Sequence, residues 1–207
     1  MEYFLQHFPQ IAHQVLDHVW ISFLALSLAA CIGIPAGYLA SRSIRQERWI
    51  LPVFQILRVI PSLAVLVLLI PFLGTGIRPA VIALVILACP PILLNTIVGF
   101  REVPFFMIES ARGMGMEEND VFWKVRLPLA RPMILSGLRT AMIEVIASAT
   151  LAAKIGAGGL GEIIFTGLGL NRGDLLIIGG GLVALLSLTS GFIFDRIRKR
   201  ILRYQSI

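Results

Sequence analysis

Few side chains in this sequence combine a reactive type with a useful spacing. His7, His13 and His18 are separated by six and five residues. They do not stack on one helix face as an i,i+4 pair would, so they read as the wet, polar side of a segment and not as metal ligands. Cys31 and Cys89 stand far apart inside apolar runs, without CxxC or metal-ligand spacing, and read as small apolar residues in helices. The run Ile155-Gly156-Ala157-Gly158-Gly159-Leu160-Gly161 has the glycines of a phosphate loop but lacks its Gly-Lys-Ser/Thr ending. It reads as a bend or re-entrant turn. The Ser/Lys, paired-Asp or His-rich sets of a membrane-embedded enzyme are not evident. Arg58, Arg139 and Glu144 are ionisable groups within or at the ends of long apolar runs, and Asn95 is a polar residue in another. At membrane depth such groups line a bundle interior or a water-filled path. Glu144, Arg139 and Asn95 are therefore candidates for a translocation path or gate. A structural pair, or a head group snorkelling to the surface, is the alternative for Arg58 and Arg139. Arg139 and Glu144 are five apart, so they do not stack directly on one face.

The elements that hold these residues follow from composition. The chain of 207 residues is 57% hydrophobic and only 14% charged, where a soluble domain carries roughly a quarter charged residues. Charges are missing from blocks of about 20 residues, the length of a helix that crosses a bilayer core. Unpaired backbone groups are costly in lipid, so an all-α integral membrane fold is expected, not a barrel. Five spans are predicted, over about 20–40, 49–73, 80–98, 133–153 and 175–194. Residues 1–19 are predicted to form an amphipathic helix along the membrane surface, with Phe4, Leu5, Phe8, Ile11, Ala12, Val15, Leu16 and Val19 at helical spacing. Pro35, in Gly33-Ile34-Pro35-Ala36-Gly37, predicts a kink in the first span. Gly179-Gly180-Gly181 predicts close helix packing in the fifth. Lysines and arginines gather in the 42–48 loop, the 99–132 loop and the tail from 196 to 207, whereas the opposite loops hold only Arg78, Lys154 and Arg172. By the positive-inside rule, the N-terminus is expected outside and the basic tail in the cytoplasm.

The longest polar interruption, 99–132, is built as two short helices. Phe105, Phe106, Ile108, Ala111 and Met114 supply apolar contacts, Gly113 and Gly115 a turn, and 117–125 a second helix ending at Leu127-Pro128. Such a hairpin suits docking into a groove of a soluble partner. Ser110, Ala111 and Gly115 are small enough for close approach to it, and Pro128 is expected to stop the helix.

Glu109-Ser110-Ala111, three residues, Gly115, nine residues, then Val125-Arg126-Leu127-Pro128 resembles the EAA motif of ABC importer permeases. That motif reads Glu-Ala-Ala, three residues, Gly, nine residues, Ile, any residue, Leu, Pro. Ser110 and Val125 are the two departures, and the spacing is intact. The resemblance implies a type I ABC importer transmembrane domain with about five spanning helices and a cytoplasmic coupling helix. Glu109, Ser110, Ala111, Gly115, Val125, Leu127 and Pro128 would then belong to the element that couples to the ATPase. It implies no cofactor on this chain, ATP being used by a partner ATPase subunit. It also implies an extracellular or periplasmic solute-binding protein, a second permease copy or paralogue, a bacterial inner-membrane location, and no role for nucleic acid. Ile60-Pro61-Ser62-Leu63-Ala64, Leu69-Ile70-Pro71-Phe72-Leu73-Gly74, Pro91-Ile92-Leu93-Leu94-Asn95-Thr96 and the 155–161 run look like the permeases of glycine betaine, choline and carnitine importers. Methionine and related amino-acid permeases share the five-span plan and are the alternative. A secondary transporter or channel is a weaker reading, because no internal repeat is evident and the 109–128 spacing would go unexplained.

Overall fold

The computed structural model describes residues 7–203. Phe4 and Leu5 of the expected surface helix, and 204–207 of the tail, lie outside the described residues. The described residues are helical apart from short connections: α1 (Phe8–Ser41), α2 (Ile44–Val59), α3 (Ser62–Leu73), α4 (Ile77–Arg101), α5 (Phe105–Gly113), α6 (Glu118–Val121), a π turn (Phe122–Arg126), α7 (Leu127–Ala152), a 3-10 turn (Ala153–Ile155), α8 (Gly161–Gly169) and α9 (Gly173–Arg203). Four stretches are long and apolar enough to cross a membrane, namely α1, α4, Glu118–Ile155 and α9, and α2–α3 makes up to five if the bent pair is one span.

Several expectations are corrected. No boundary separates a surface helix from the first span, because α1 runs unbroken for 34 residues. At 1.5 Å per residue that is about 51 Å, well beyond a bilayer core of roughly 30 Å. Part of the apolar side of its first turns is covered by protein: Ile11 clusters with Leu160, Ile163 and Leu175, while Phe8 and Leu16 are exposed. His18 is not a wet residue but 1% exposed. The expected span 49–73 is broken at Ile60-Pro61, with α2 and α3 at 95°. Pro61 favours an extended residue before it, and Ile60 adopts ψ 123°. Pro128 does not stop a helix. It occupies the first turn of α7, where its missing N–H costs nothing, and the π turn carries the chain into the span. The tail is not a separate segment either, since α9 continues through Arg203. Helix α8, after the glycine turn, was not anticipated.

Helix α4 is the axis of the bundle. Its neighbours α1 and α7 approach through glycines, where a side chain would meet backbone or branched carbons. A Cβ at Gly37 would lie 2.7 Å from Thr96 Cβ and 2.9 Å from Leu93 O, and one at Gly137 would lie 2.8 Å from Pro91 O. Gly33 and Gly37 thus form a contact surface between helices, four residues apart on one face. The core around them holds Ala25, Leu26, Ala29, Leu66, Leu84, Ile92, Ala141 and Val145. Of the glycine triplet in α9 only Gly179 is packed, against Ile164, while a Cβ at Gly180 or Gly181 would meet nothing within 4 Å.

The two ends of the bundle differ. At one, Gly76 N–H donates to Ile155 O at 2.6 Å, and His18 lies against Gly159. At the other, Tyr38, Phe100 and Phe122 form an aromatic cluster with centroids 4.8–6.0 Å apart. Helices α1 and α4 therefore run parallel, so α2 and α3 between them must traverse the bundle.

Candidate coupling surface and polar sites

Residues 103–129 fold as a small unit with a core of its own. Val103, Ile108, Ala111 and Val121 are buried together, with Met116, Val125 and Leu129 packed on them. Ile108 and Ala111 face inward because they are three apart on α5. The turn after α5 closes through Gly115 at φ +83°, with Met116 N–H donating to Ala111 O at 3.2 Å. A positive φ suits glycine and strains any residue with a Cβ. The Arg112 guanidinium straps the turn, donating to Glu118 Oε1 at 2.6 Å through Nε. The outer side of α5 is left open. Phe105 is 66% and Phe106 63% exposed, and Met114 and Trp123 are exposed as well. Glu109 and Ser110 share that open side. Ala111, expected at the outer contact, instead fills the unit's own core. Val125 and Leu127 are half-buried at the base, where the unit joins α7.

Charged side chains within the bundle are paired between helices. Arg58 on α2 approaches Glu144 on α7 at 3.5 Å. Arg139 on α7 approaches Asp195 on α9 at 3.2 Å. At the opposite end, Leu160 N–H donates to His18 Nδ1 at 3.3 Å. That leaves the proton on Nε2, which donates to Ile146 O at 3.0 Å. Gln14 donates to Glu162 at 2.9 Å beside it. Together these bonds tie α1 to the glycine turn and α8.

The sequence profile of the family described as "binding-protein-dependent transport system inner membrane component" matches residues 29–203. The chain belongs to that family. It is 40% identical over 205 residues to the carnitine transport permease protein OpuCB of Listeria monocytogenes, covering 97% of this chain and 94% of that protein. It is 37% identical over 184 residues to the choline transport system permease protein OpuBB of Bacillus subtilis, covering 89% and 85%. In fold it matches an inward-facing form of the MetNI methionine ABC transporter with TM-score 0.83 and 24% identity, over 97% of this chain and 99% of that one. The fold is that of a type I ABC importer transmembrane domain.

In the permease, the three candidate path residues are not brought together. Glu144 pairs with Arg58 and Arg139 with Asp195. The Asn95 side chain donates to Pro91 O at 2.8 Å, and a Cβ at Gly137 would lie 2.8 Å from its Cβ, on the α4–α7 contact. Asp195 was missed because it opens the charged stretch with Arg196, Arg198, Lys199 and Arg200 that closes an apolar run, where a charge reads as a boundary. The roles of His18 and Gln14 were missed because a partner 128 or 148 residues away leaves no local signal.

Proposed function

We propose that this permease imports a quaternary ammonium osmoprotectant: glycine betaine, choline or carnitine. The observation that carries the reading is the 40% identity over nearly the full length of a carnitine permease. The chain itself is no enzyme. It forms the solute path as a homodimer or with a paralogous permease, since one small bundle cannot enclose a path alone. A separate ATPase hydrolyses ATP, and an extracellular or periplasmic binding protein delivers the solute. The test is uptake in cells lacking other osmoprotectant importers, supplied with the whole transport system. Labelled carnitine, choline or glycine betaine should accumulate in high-osmolarity medium and methionine should not. Uptake of methionine alone overturns the reading.

The face of the 103–129 unit carrying Phe105, Phe106, Glu109, Ser110, Met114 and Gly115 is the docking face for the ATPase. Ala111, Val125, Leu127 and Pro128 support it from behind. An exposed apolar patch with aromatic anchors, rimmed by charge, supports this assignment.

The end of the bundle bearing Arg42, Arg112, Lys124, Arg126 and the α9 tail faces the cytoplasm, and the N-terminus lies outside. The lysine and arginine asymmetry supports this orientation. Cysteines introduced at Asn171 and Asn119, both exposed, report on it. An impermeant thiol reagent applied to intact cells should label the first and spare the second. Labelling at Asn119 alone reverses the topology.

A further inference from the structure

The Arg58–Glu144 pair stands on a cleft of about 360 Å³ lined also by Ser62, Leu87, Ala147 and Ser148. We infer that this pair is a transit site for a zwitterionic solute, Arg58 receiving its carboxylate and Glu144 its quaternary ammonium. The inference rests on the substrate class proposed above and assigns residues in this chain to it.

The pair is loosely made. The two groups meet at 3.5 Å, beyond the usual hydrogen-bond distance, and their side chains are 47% and 37% exposed. Arg112 and Glu118 in the coupling unit close to 2.5 Å. A guanidinium has five donors and a carboxylate about four acceptor positions, so most of the capacity on both sides remains for a third party. A solute carboxylate can take the guanidinium in bidentate fashion. A quaternary ammonium has no donors to satisfy and needs only a facing negative charge. The exchange is neutral: a neutral pair takes in a solute of zero net charge. Loading therefore adds no net charge at a depth where uncompensated charge is costly.

The backbone favours the same site. At Ile60-Pro61 the helix breaks by 95°, and α3 begins at Ser62 on the cleft. Non-helical backbone at membrane depth belongs where it lines a cavity, and a helix N-terminus favours an anion. The Arg139–Asp195 pair, at 41% and 39% exposed, is comparably open, but it closes to 3.2 Å and lies beside Gly191 between α7 and α9. A path must hold its solute weakly enough to release it, and an ion pair that re-forms behind the departing solute does so.

The experiment uses Arg58→Gln, Glu144→Gln and the charge swap Arg58→Glu/Glu144→Arg in the complete importer. Uptake of glycine betaine and choline is measured per permease in the membrane. The two solutes share the ammonium, and only glycine betaine has the carboxylate. Arg58→Gln should lower glycine betaine uptake by about tenfold or more while choline stays within about twofold, a bidentate contact being lost for one solute only. Glu144→Gln should lower both. The swap should rescue neither, because it inverts the order of charges the solute meets. Recovery of both solutes in the swap, or equal losses of both in Arg58→Gln, makes the pair a structural bridge and overturns the inference. If Arg58→Gln fails to reach the membrane, Arg58→Lys takes its place, with a smaller but still glycine betaine-selective loss expected and an equal loss of both solutes overturning the inference. A wild type that imports choline but no carboxylate-bearing solute also overturns it. A wild type that imports no quaternary amine refutes the proposed substrate class, which is a separate result.

Discussion

Gly137→Leu should remove the folded permease from the membrane, whereas Gly181→Ala should leave its level unchanged. A Cβ at position 137 would lie 2.8 Å from Pro91 O, 2.8 Å from Asn95 Cβ and 3.2 Å from Ile92 Cα. Two of these atoms are backbone, so no rotamer change relieves the contact. The α4 helix must move, and it also carries the contacts to Gly33 and Gly37 of α1. Overpacking a core costs about 1–3 kcal/mol where side chains can adjust. Here the cost should exceed that, against a total stability on the order of 5–15 kcal/mol. At Gly181 a Cβ meets nothing within 4 Å, and alanine is the better helix former. Membrane level by immunoblot and the melting temperature of the detergent-purified importer check both. A Gly137→Leu protein that melts with the wild type would show that the α4–α7 contact is not close-packed.

The double change Phe105→Asp/Phe106→Asp should abolish ATPase docking and leave the permease in the membrane. Both rings are about two-thirds exposed and neither belongs to the Val103–Ile108–Ala111–Val121 cluster, so the unit keeps its core. Aromatic anchors at the centre of an interface each contribute about 2 kcal/mol or more. Losing two amounts to about 4 kcal/mol, roughly three orders of magnitude in affinity. Two buried carboxylates add a desolvation penalty. Co-purification of the ATPase and solute-driven ATP turnover should both collapse. The contrasting Ala111→Asp places a charge inside the unit's own core and should unfold the loop. Full association and stimulation with both phenylalanines replaced would mean that the ATPase docks elsewhere.

Helix content, the long apolar stretches and the 109–128 spacing were legible because each is a local property. Runs of about 20 uncharged residues announce spans, and a gapped motif survives in one dimension. The outer contact was legible only in part. Phe105 and Phe106 were marked as apolar, but which small residue faces outward depends on which side of α5 meets Val121. That contact turned Ala111 inward.

By itself the sequence determined an all-helical membrane chain, the clustering of basic residues in alternate loops and a polar loop with the 109–128 spacing between two spans. Hydrophobicity, charge and residue spacing act on neighbours along the chain, so they can be read there. The tertiary structure decided the rest. It joined the N-terminal segment to the first span, because Ile11 found cover on Leu160 and Ile163. It buried His18 against a turn more than 100 residues away, where Leu160 N–H and Ile146 O satisfy its ring. It gave Arg58 and Arg139 partners on other helices, Glu144 and Asp195. A charge or polar group at membrane depth must find its complement in space, and only the packed bundle brings that complement within reach.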